Sequence, residues 1–283
     1  MDEAAAIVLA GGRSSRMGSP KAALEWHGST LLRRVTGIVA RAVAPGPVVV
    51  VTAPGQALPK LDPAIEVVAD AREGRGPLEG LAAGLTAIGD RAPVAYVSST
   101  DVPLLHPAFV RRVLEALDDN SDIVLPEVGG FRQPLSAAYR TRLLTSVNDL
   151  IAADRMRPAF LFERSRVLPM NEADLLRNGA LARLDPTLAS VRNLNEPADY
   201  ERAHALPAPE IQVQRFGPLA TAGSGARRQT VQAWSLGEAA DAAGLALDEH
   251  VVAALNGDQI TRDPELPLVK GDTVAFMVAD AGG

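Results

Sequence analysis

The chain has 283 residues, of which 47% are apolar and 22% charged, with a net charge of -6. That balance suits a soluble protein with a buried core and argues against general nucleic-acid affinity, which favours a basic surface. Cysteine is absent, which excludes disulfides, thiolate metal sites and cysteine nucleophiles.

The N-terminus, Met1-Asp2-Glu3-Ala4, lacks the basic region of a signal peptide, and the apolar run after it is too short to span a membrane. The expected location is the cytoplasm. Residues 5–10 form an apolar run ending in Gly-Gly, as a buried parallel strand feeding a loop would. Further strand-like runs follow at Val48–Thr52, Ile65–Ala69, Val94–Ser98 and Ile123–Pro126. Helical spacing separates them at Leu31–Val43, Leu78–Ile88 and Phe109–Leu117. Alternating strands and helices predict a Rossmann-like α/β fold: a mostly parallel sheet with helices on both faces and ligands at the carboxyl ends of the strands.

Near residue 205 the pattern changes. Ala205-Leu206-Pro207-Ala208-Pro209 reads as a stiff spacer. After it, Ile211–Phe216 alternates as a half-buried strand, with a second strand around Thr230–Trp234 and a helix over Leu236–Ala243. Val251–Leu255 and Thr273–Val278 close the chain as strands. Residues 210–283 hold ten acidic and five basic residues, a net of -5 against -6 for the whole chain. Two domains are expected, 1–204 and 210–283, joined by a linker at 205–209.

The segment Leu9-Ala10-Gly11-Gly12-Arg13-Ser14-Ser15-Arg16-Met17-Gly18-Ser19-Pro20-Lys21 carries the chemistry. Glycines let backbone N–H groups approach a triphosphate closely. Arg13, Arg16 and Lys21 supply cations for its oxygens, arginine as a planar fork and lysine as a point charge. The Gly-Lys-Ser/Thr ending of a Walker A loop is missing, as is the third glycine of a dinucleotide fingerprint.

Asp101, just past the run Val94–Ser98, is either a hard ligand for Mg²⁺ or a cap for the next helix. Asp70, just past Ile65–Ala69, either contacts a base or ribose or simply ends a strand. His27, His106, His204 and His250 are scattered without metal-ligand spacing, and structural or solvent-facing roles are expected of them. Trp234, ahead of an amphipathic helix, reads as core.

The glycine-rich loop resembles the signature of the molybdenum cofactor guanylyltransferase (MobA) family, which reads LAGG, a spacer, then R-M-G and a lysine; the resemblance runs from about Ala5 to Ala203. It implies a nucleotide-diphospho-sugar transferase type of fold. Leu9, Ala10, Gly11, Gly12, Lys21, Asp70 and Asp101 would hold the nucleotide, and Asp101 would bind Mg²⁺. Catalysis would fall to Arg13, Arg16, Lys21 and Asp101. Gly76-Pro77-Leu78-Glu79-Gly80 matches the family's G-P-L-x-G turn, Gln133-Pro134-Leu135 the segment on the pterin side, and Asn193-Leu194-Asn195-Glu196-Pro197 the late N-x-N-x-P motif. Gln133, Pro134 and Asn195 are thus the pterin-side candidates. The family often has cysteine before the magnesium aspartate, where this chain has Thr100.

The last segment, with Leu268–Phe276 and the terminal Gly282-Gly283, resembles the small sulfur carriers of the MoaD/ThiS family, which have a ubiquitin-like β-grasp fold. Without that resemblance, Gly-Gly is an ordinary frayed end. With it, the implied partners are an E1-like activating enzyme and the large subunit of molybdopterin synthase, with the MoaD role preferred over the ThiS role on pathway economy. Taken together, the resemblances imply transfer of GMP from GTP to molybdopterin by a chain that also carries sulfur, with neither nucleic acid nor membrane as partner. Two alternatives stand beside this: CTP as donor to the same pterin, since triphosphate contacts do not read the base, and a catalytically inactive scaffold for the carrier.

Overall fold

The apolar run at the start of the chain becomes β1 (Ala4–Leu9), a fully paired interior strand in the computed structural model, which describes residues 4–11, 20–70, 72, 74–220 and 226–279. The chain forms two compact units, one of Met1–Glu25 with Thr30–Tyr200 and the other of Trp26–Ser29 with Glu201–Gly283. A two-stranded ribbon, β2 (Glu25–Trp26) and β3 (Ser29–Thr30), spans that boundary in sequence. Among the described residues no helix is long and apolar enough to cross a membrane.

In the first unit β1 is flanked by β4 (Val48–Thr52) and β6 (Val94–Ser99), both parallel to it, and β5 (Glu66–Ala69) continues the sheet beyond β4. On the other side, β9 (Ser136–Arg140) runs antiparallel between β6 and β7 (Ile123–Val128). β10 (Val167–Met170) pairs parallel with β7, which also folds back on β8 (Phe131–Arg132). The order is β10-β7-β9-β6-β1-β4-β5. The sheet is therefore parallel-rich but mixed. The expected mostly parallel sheet is present, and the antiparallel β9 adds a strand that the sequence pattern did not mark: Ser-Ala-Ala-Tyr-Arg lacks the β-branched run typical of one.

Side chains alternate across β1, so Ala5 and Ile7 face one layer and Ala6 and Val8 the other. Ala5 and Ile7 join a core with Leu78, Leu81 and Leu85 of α2 (Pro77–Ile88) and with Val147 and Leu150 of the helix Leu144–Ala152. α1 (Leu31–Val43) packs against β1 and against α3 (Pro107–Glu115). α3 starts at Pro107 rather than at Phe109, because proline is tolerated in a first turn where its missing N–H has no partner to lose. His106 caps it, Nδ1 accepting from the Ala108 N–H at 3.0 Å.

α2 lies close to the sheet because glycine faces it. A Cβ built on Gly84 meets Ile7 Cγ2 at 2.6 Å, inside contact distance of a fully buried side chain.

In the second unit β11 (Glu210–Arg215), β12 (Arg228–Gln232), β13 (Val251–Leu255), β14 (Gln259–Thr261) and β15 (Thr273–Val278) form a sheet in the order β12-β11-β15-β13-β14. Its first and last strands, β11 and β15, pair in parallel, and the other pairings are antiparallel. Ile211 and Val213 point inward with Val274 and Phe276 onto the helix Leu236–Ala242, while Glu210 and Gln212 point out. Ser235 caps that helix by accepting the Glu238 N–H. Trp234 is 8% exposed, as expected of a core residue. His27 stacks on it at 4.9 Å and on His204 at 4.2 Å, so two of the scattered histidines serve packing.

At the amino end of β7, Asp122 accepts hydrogen bonds from Arg166 at 2.9 Å and Arg142 at 2.6 Å. The Arg166 guanidinium, with Arg142 behind it, holds the Asp122 carboxyl well below the usual carboxylate range against the opposing pull of desolvation. Such a depressed group stabilises the fold above its unfolded pKa and loses that contribution as pH falls through its folded one. The gap in melting temperature between the wild type and Asp122→Asn should therefore be present at neutral pH and narrow below about pH 4. A gap independent of pH would contradict this. Gly84→Ala should lower stability even though alanine favours helix by about 1 kcal/mol, because overpacking against Ile7 costs about 1–3 kcal/mol. Denaturant melts measure it, and a stabilised variant would refute the close packing.

Candidate functional site

Parallel register aligns the strand ends. Leu9 lies opposite Val51 and Ser99, and Thr52 lies opposite Ala69, so β1, β4, β5 and β6 stop at one level. The next residues, Ala10, Ala53, Asp70 and Thr100-Asp101, all leave the sheet along this carboxyl edge. β9 enters from the opposite direction with Ser136 opposite Ser98, which brings the residues just before it, Gln133–Leu135, to the same edge.

The turn after β1 is held tightly. The Ala10 N–H donates to Val51 O at 2.7 Å, and a Cβ on Gly11 would sit 3.1 Å from the Ala53 nitrogen, tighter than ordinary contact. Gln56 ties the two turns together. Its Nε2 donates to Ala10 O at 3.1 Å, while its Oε1 accepts from the Ala53 N–H at 3.2 Å and the Thr52 hydroxyl at 3.1 Å. Gly12, Arg13 and Arg16 lie outside the described residues, as do Gly282 and Gly283.

Lys21 opens a single 3₁₀ turn, Lys21–Ala23, and its Nζ lies 2.8 Å from Asp101 Oδ2, across eighty residues of sequence. Both side chains are partly buried, at 19% and 15% exposure. The other carboxylate oxygen, Oδ1, accepts the Ser99 hydroxyl at 2.5 Å. Asp101 O accepts the Leu194 N–H at 2.8 Å, which anchors the Asn193–Pro197 segment beside it. Two residues on, Pro103 O accepts the Nε of Arg34, a buried arginine of α1, at 2.5 Å. Asp101 does not cap α3; His106 does.

Asp70 ends β5, its N–H donating to Thr52 O at 2.9 Å. Gln133 is turned into its own hairpin, Nε2 donating to Phe131 O at 3.3 Å. Pro134 O accepts the Tyr139 hydroxyl at 2.8 Å. Burial raises that phenol well above its ordinary range, so it remains a donor at any physiological pH. Asn195 is exposed, and its N–H donates to Asp199 Oδ2 at 3.1 Å.

Ser99, Gln56 and Arg34 are the edge residues that sequence reading passed over. Arg34 did carry a signal, a charge on the buried stripe of an amphipathic helix. Ser99 and Gln56 carried none: nothing in the sequence tells the Ser99 hydroxyl to turn to Asp101 two residues on, and Gln56 reaches Ala10 from another strand's turn.

Chemically, the described residues of the edge offer the Asp101 carboxylate paired with the Lys21 ammonium, the Asp70 carboxylate at the end of β5, and a tightly turned backbone opposite the adjoining strand. Among the described residues no three His, Cys, Asp or Glu side chains cluster to hold a metal. Asp101 fits a Mg²⁺ ion that takes one or two protein carboxylates and draws its remaining ligands from phosphate and water.

Residues 6–167 match the family described as the MobA-like NTP transferase domain. A protein of Desulfosudis oleivorans named molybdenum cofactor guanylyltransferase is 31% identical over 206 residues, covering 72% of this chain and 96% of that protein. Molybdopterin-guanine dinucleotide biosynthesis protein A from Archaeoglobus fulgidus is similar in structure, with a TM-score of 0.56 and 22% identity over 71% of this chain and 96% of that one. The 4-diphosphocytidyl-2C-methyl-D-erythritol synthase of Anaerococcus prevotii gives 0.53 at 14% identity, covering 72% and 97%. At these identities the solved structures speak to fold.

The Gln56 clamp is testable without any ligand. Gln56→Ala removes the one hydrogen bond to Ala10 that joins the two turns and two within its own turn, and the expected loss of stability is about 1–3 kcal/mol with faster amide exchange at Ala53. Unchanged exchange there would show that the clamp does not hold the edge.

Proposed function

The chain belongs to the MobA-like NTP transferase family, and on that footing we propose that residues 1–204 transfer GMP from GTP to the terminal phosphate of molybdopterin or its molybdenum-loaded form. The Lys21–Asp101 pair at the carboxyl edge, next to the Leu9–Gly11 turn, carries this reading. It sets a mobile cation and a hard anion beside a backbone cradle, which is what a magnesium-bound triphosphate requires.

In this scheme an oxygen of the acceptor phosphate attacks the α-phosphorus of GTP in line. The new P–O bond forms as the bond from the α-phosphorus to the bridging oxygen breaks, and pyrophosphate leaves. The attacking phosphate is already ionised at neutral pH, so no general base is required. Asp101 would hold Mg²⁺, which supplies neutralisation of phosphate charge when bound. Leu9 and Ala10, tied into the sheet, set the position of the turn from which Gly11 and Gly12 would bring backbone N–H groups to the phosphates, and Lys21, Arg13 and Arg16 would bring side-chain charge. Asp70 reaches the base or ribose from the end of β5. Gln133, Pro134 and Asn195 are the residues we assign to the pterin side, Gln133 on the condition that its side chain leaves its own hairpin. Catalysis then rests on positioning and charge rather than on a nucleophilic side chain.

We assign residues 205–209 as a linker and 210–283 as a β-grasp sulfur carrier. The strand order β12-β11-β15-β13-β14, with first and last strands parallel and one helix across the sheet, supports this assignment. In this role an E1-like enzyme adenylates the terminal carboxylate of Gly283 with ATP, releasing pyrophosphate; a sulfide-level sulfur donor displaces AMP to leave a thiocarboxylate, and the large subunit of molybdopterin synthase takes that sulfur as water restores the carboxylate. Glycines at the tail let it thread a narrow site where any Cβ would clash.

Calorimetry with GTP, CTP and ATP, with and without Mg²⁺, tests the donor. Magnesium-enhanced preference for GTP is expected; preference for CTP would overturn the choice of base, and binding of none would overturn the transferase reading. Asp101→Asn should lower turnover ~100-fold or more, the scale of several kcal/mol of charge stabilisation, while GTP binding weakens less. Unchanged turnover would remove Asp101 from the metal role. Deleting Gly283 should abolish thiocarboxylate formation, read as loss of the oxygen-to-sulfur mass change, with nucleotide binding intact. Loss of both activities would contradict two independent functions.

A further inference from the structure

We infer that Ser99 is a positioning residue for the metal carboxylate, pinning Asp101 through Oδ1 so that Oδ2 is the oxygen exchanged between Lys21 and the metal ion. The inference rests on the proposed magnesium role of Asp101.

Asp101 has both oxygens engaged, and by partners of different kinds. Oδ2 takes the Lys21 ammonium, a compact charge on a flexible stem that can follow a phosphate. Oδ1 takes the hydroxyl of Ser99, whose short side chain is carried on the last residue of β6, a strand paired on both sides. The main chain is fixed independently by the Leu194 N–H on Asp101 O. A free carboxylate on a loop turns about χ1 and χ2. This one is held at one oxygen and at its carbonyl, so its second oxygen keeps a set direction when Lys21 departs.

The neighbouring serines show that this is not what every hydroxyl at the edge does. Ser98 Oγ donates to the Ser99 carbonyl and Ser136 Oγ to the Leu135 carbonyl, both local backbone contacts. The hydroxyl of Ser99 is directed at a side chain that the reaction needs. A donor placed behind a metal-binding carboxylate orients it, and loss of such partners commonly costs about 10–100-fold in metal affinity.

The test uses the full chain and Mn²⁺ as a spectroscopic probe. Electron paramagnetic resonance titrations measure Mn²⁺ affinity in the GTP complex of the wild type, Ser99→Ala, Ser99→Thr and Asp101→Asn, and calorimetry measures GTP affinity in metal-free buffer. Ser99→Ala should weaken Mn²⁺ binding about 10-fold or more while metal-free GTP affinity stays within about twofold, and Ser99→Thr should recover most of the loss. A general folding defect would lower both affinities and would not be rescued by threonine; that pattern overturns the inference, as does Mn²⁺ binding in Ser99→Ala equal to that of the wild type. If Mn²⁺ in the wild-type GTP complex binds no more tightly than in Asp101→Asn, the magnesium role of Asp101 itself fails, whatever Ser99 does.

Discussion

In-register pairing of β1 with β4 and β6 is the constraint from which the edge follows. Because Leu9, Val51 and Ser99 lie side by side, three chain segments leave the sheet together, and each must turn within a few ångströms of the others. Gly11 lets the first turn approach Ala53, Gln56 joins the first two, and Ser99 meets Asp101 across the third. Shifting β1 by one residue would exchange its buried faces and separate these turns at once. The glycines of α2 serve the same end. By letting that helix approach Ile7 and Leu9, they hold β1 against its neighbours.

The charges at this edge contribute little to folding. A partly exposed lysine–aspartate pair contributes roughly 0–1 kcal/mol, far less than the apolar core beneath it. On the proposed reading its value lies in being exchangeable: each partner would meet another charge when a triphosphate and its metal bind. The Asp122–Arg166–Arg142 cluster at the amino end of β7 differs in kind. It joins the start of β7 to the chain entering β10, where Arg166 also bonds Asp122 through its backbone N–H, and so closes the far side of the sheet.

The central strands were legible because β1, β4 and β6 are unbroken apolar runs, and α1 because its buried stripe recurs at helical spacing. β9 was not, because alanine and serine fit helix, loop and strand alike, and it becomes a strand when β6 and β7 pair with it on both sides. β14 is three residues and was equally silent. At the edge, motif resemblance singled out Lys21 and Asp101 separately. Their contact depends on the whole βαβ topology between them. Gln56 reaches Ala10 by the same long route, whereas Ser99 bonds Asp101 two residues on, through a turn geometry that no spacing rule encodes.

The most direct test of the central claim is a transfer assay with the purified full chain, Mg²⁺, molybdopterin and GTP labelled at the α-phosphorus. The account predicts label in a pterin–guanine dinucleotide, with one pyrophosphate released for each GMP transferred. GTP and molybdopterin that both bind, with no label passing between them, would contradict it.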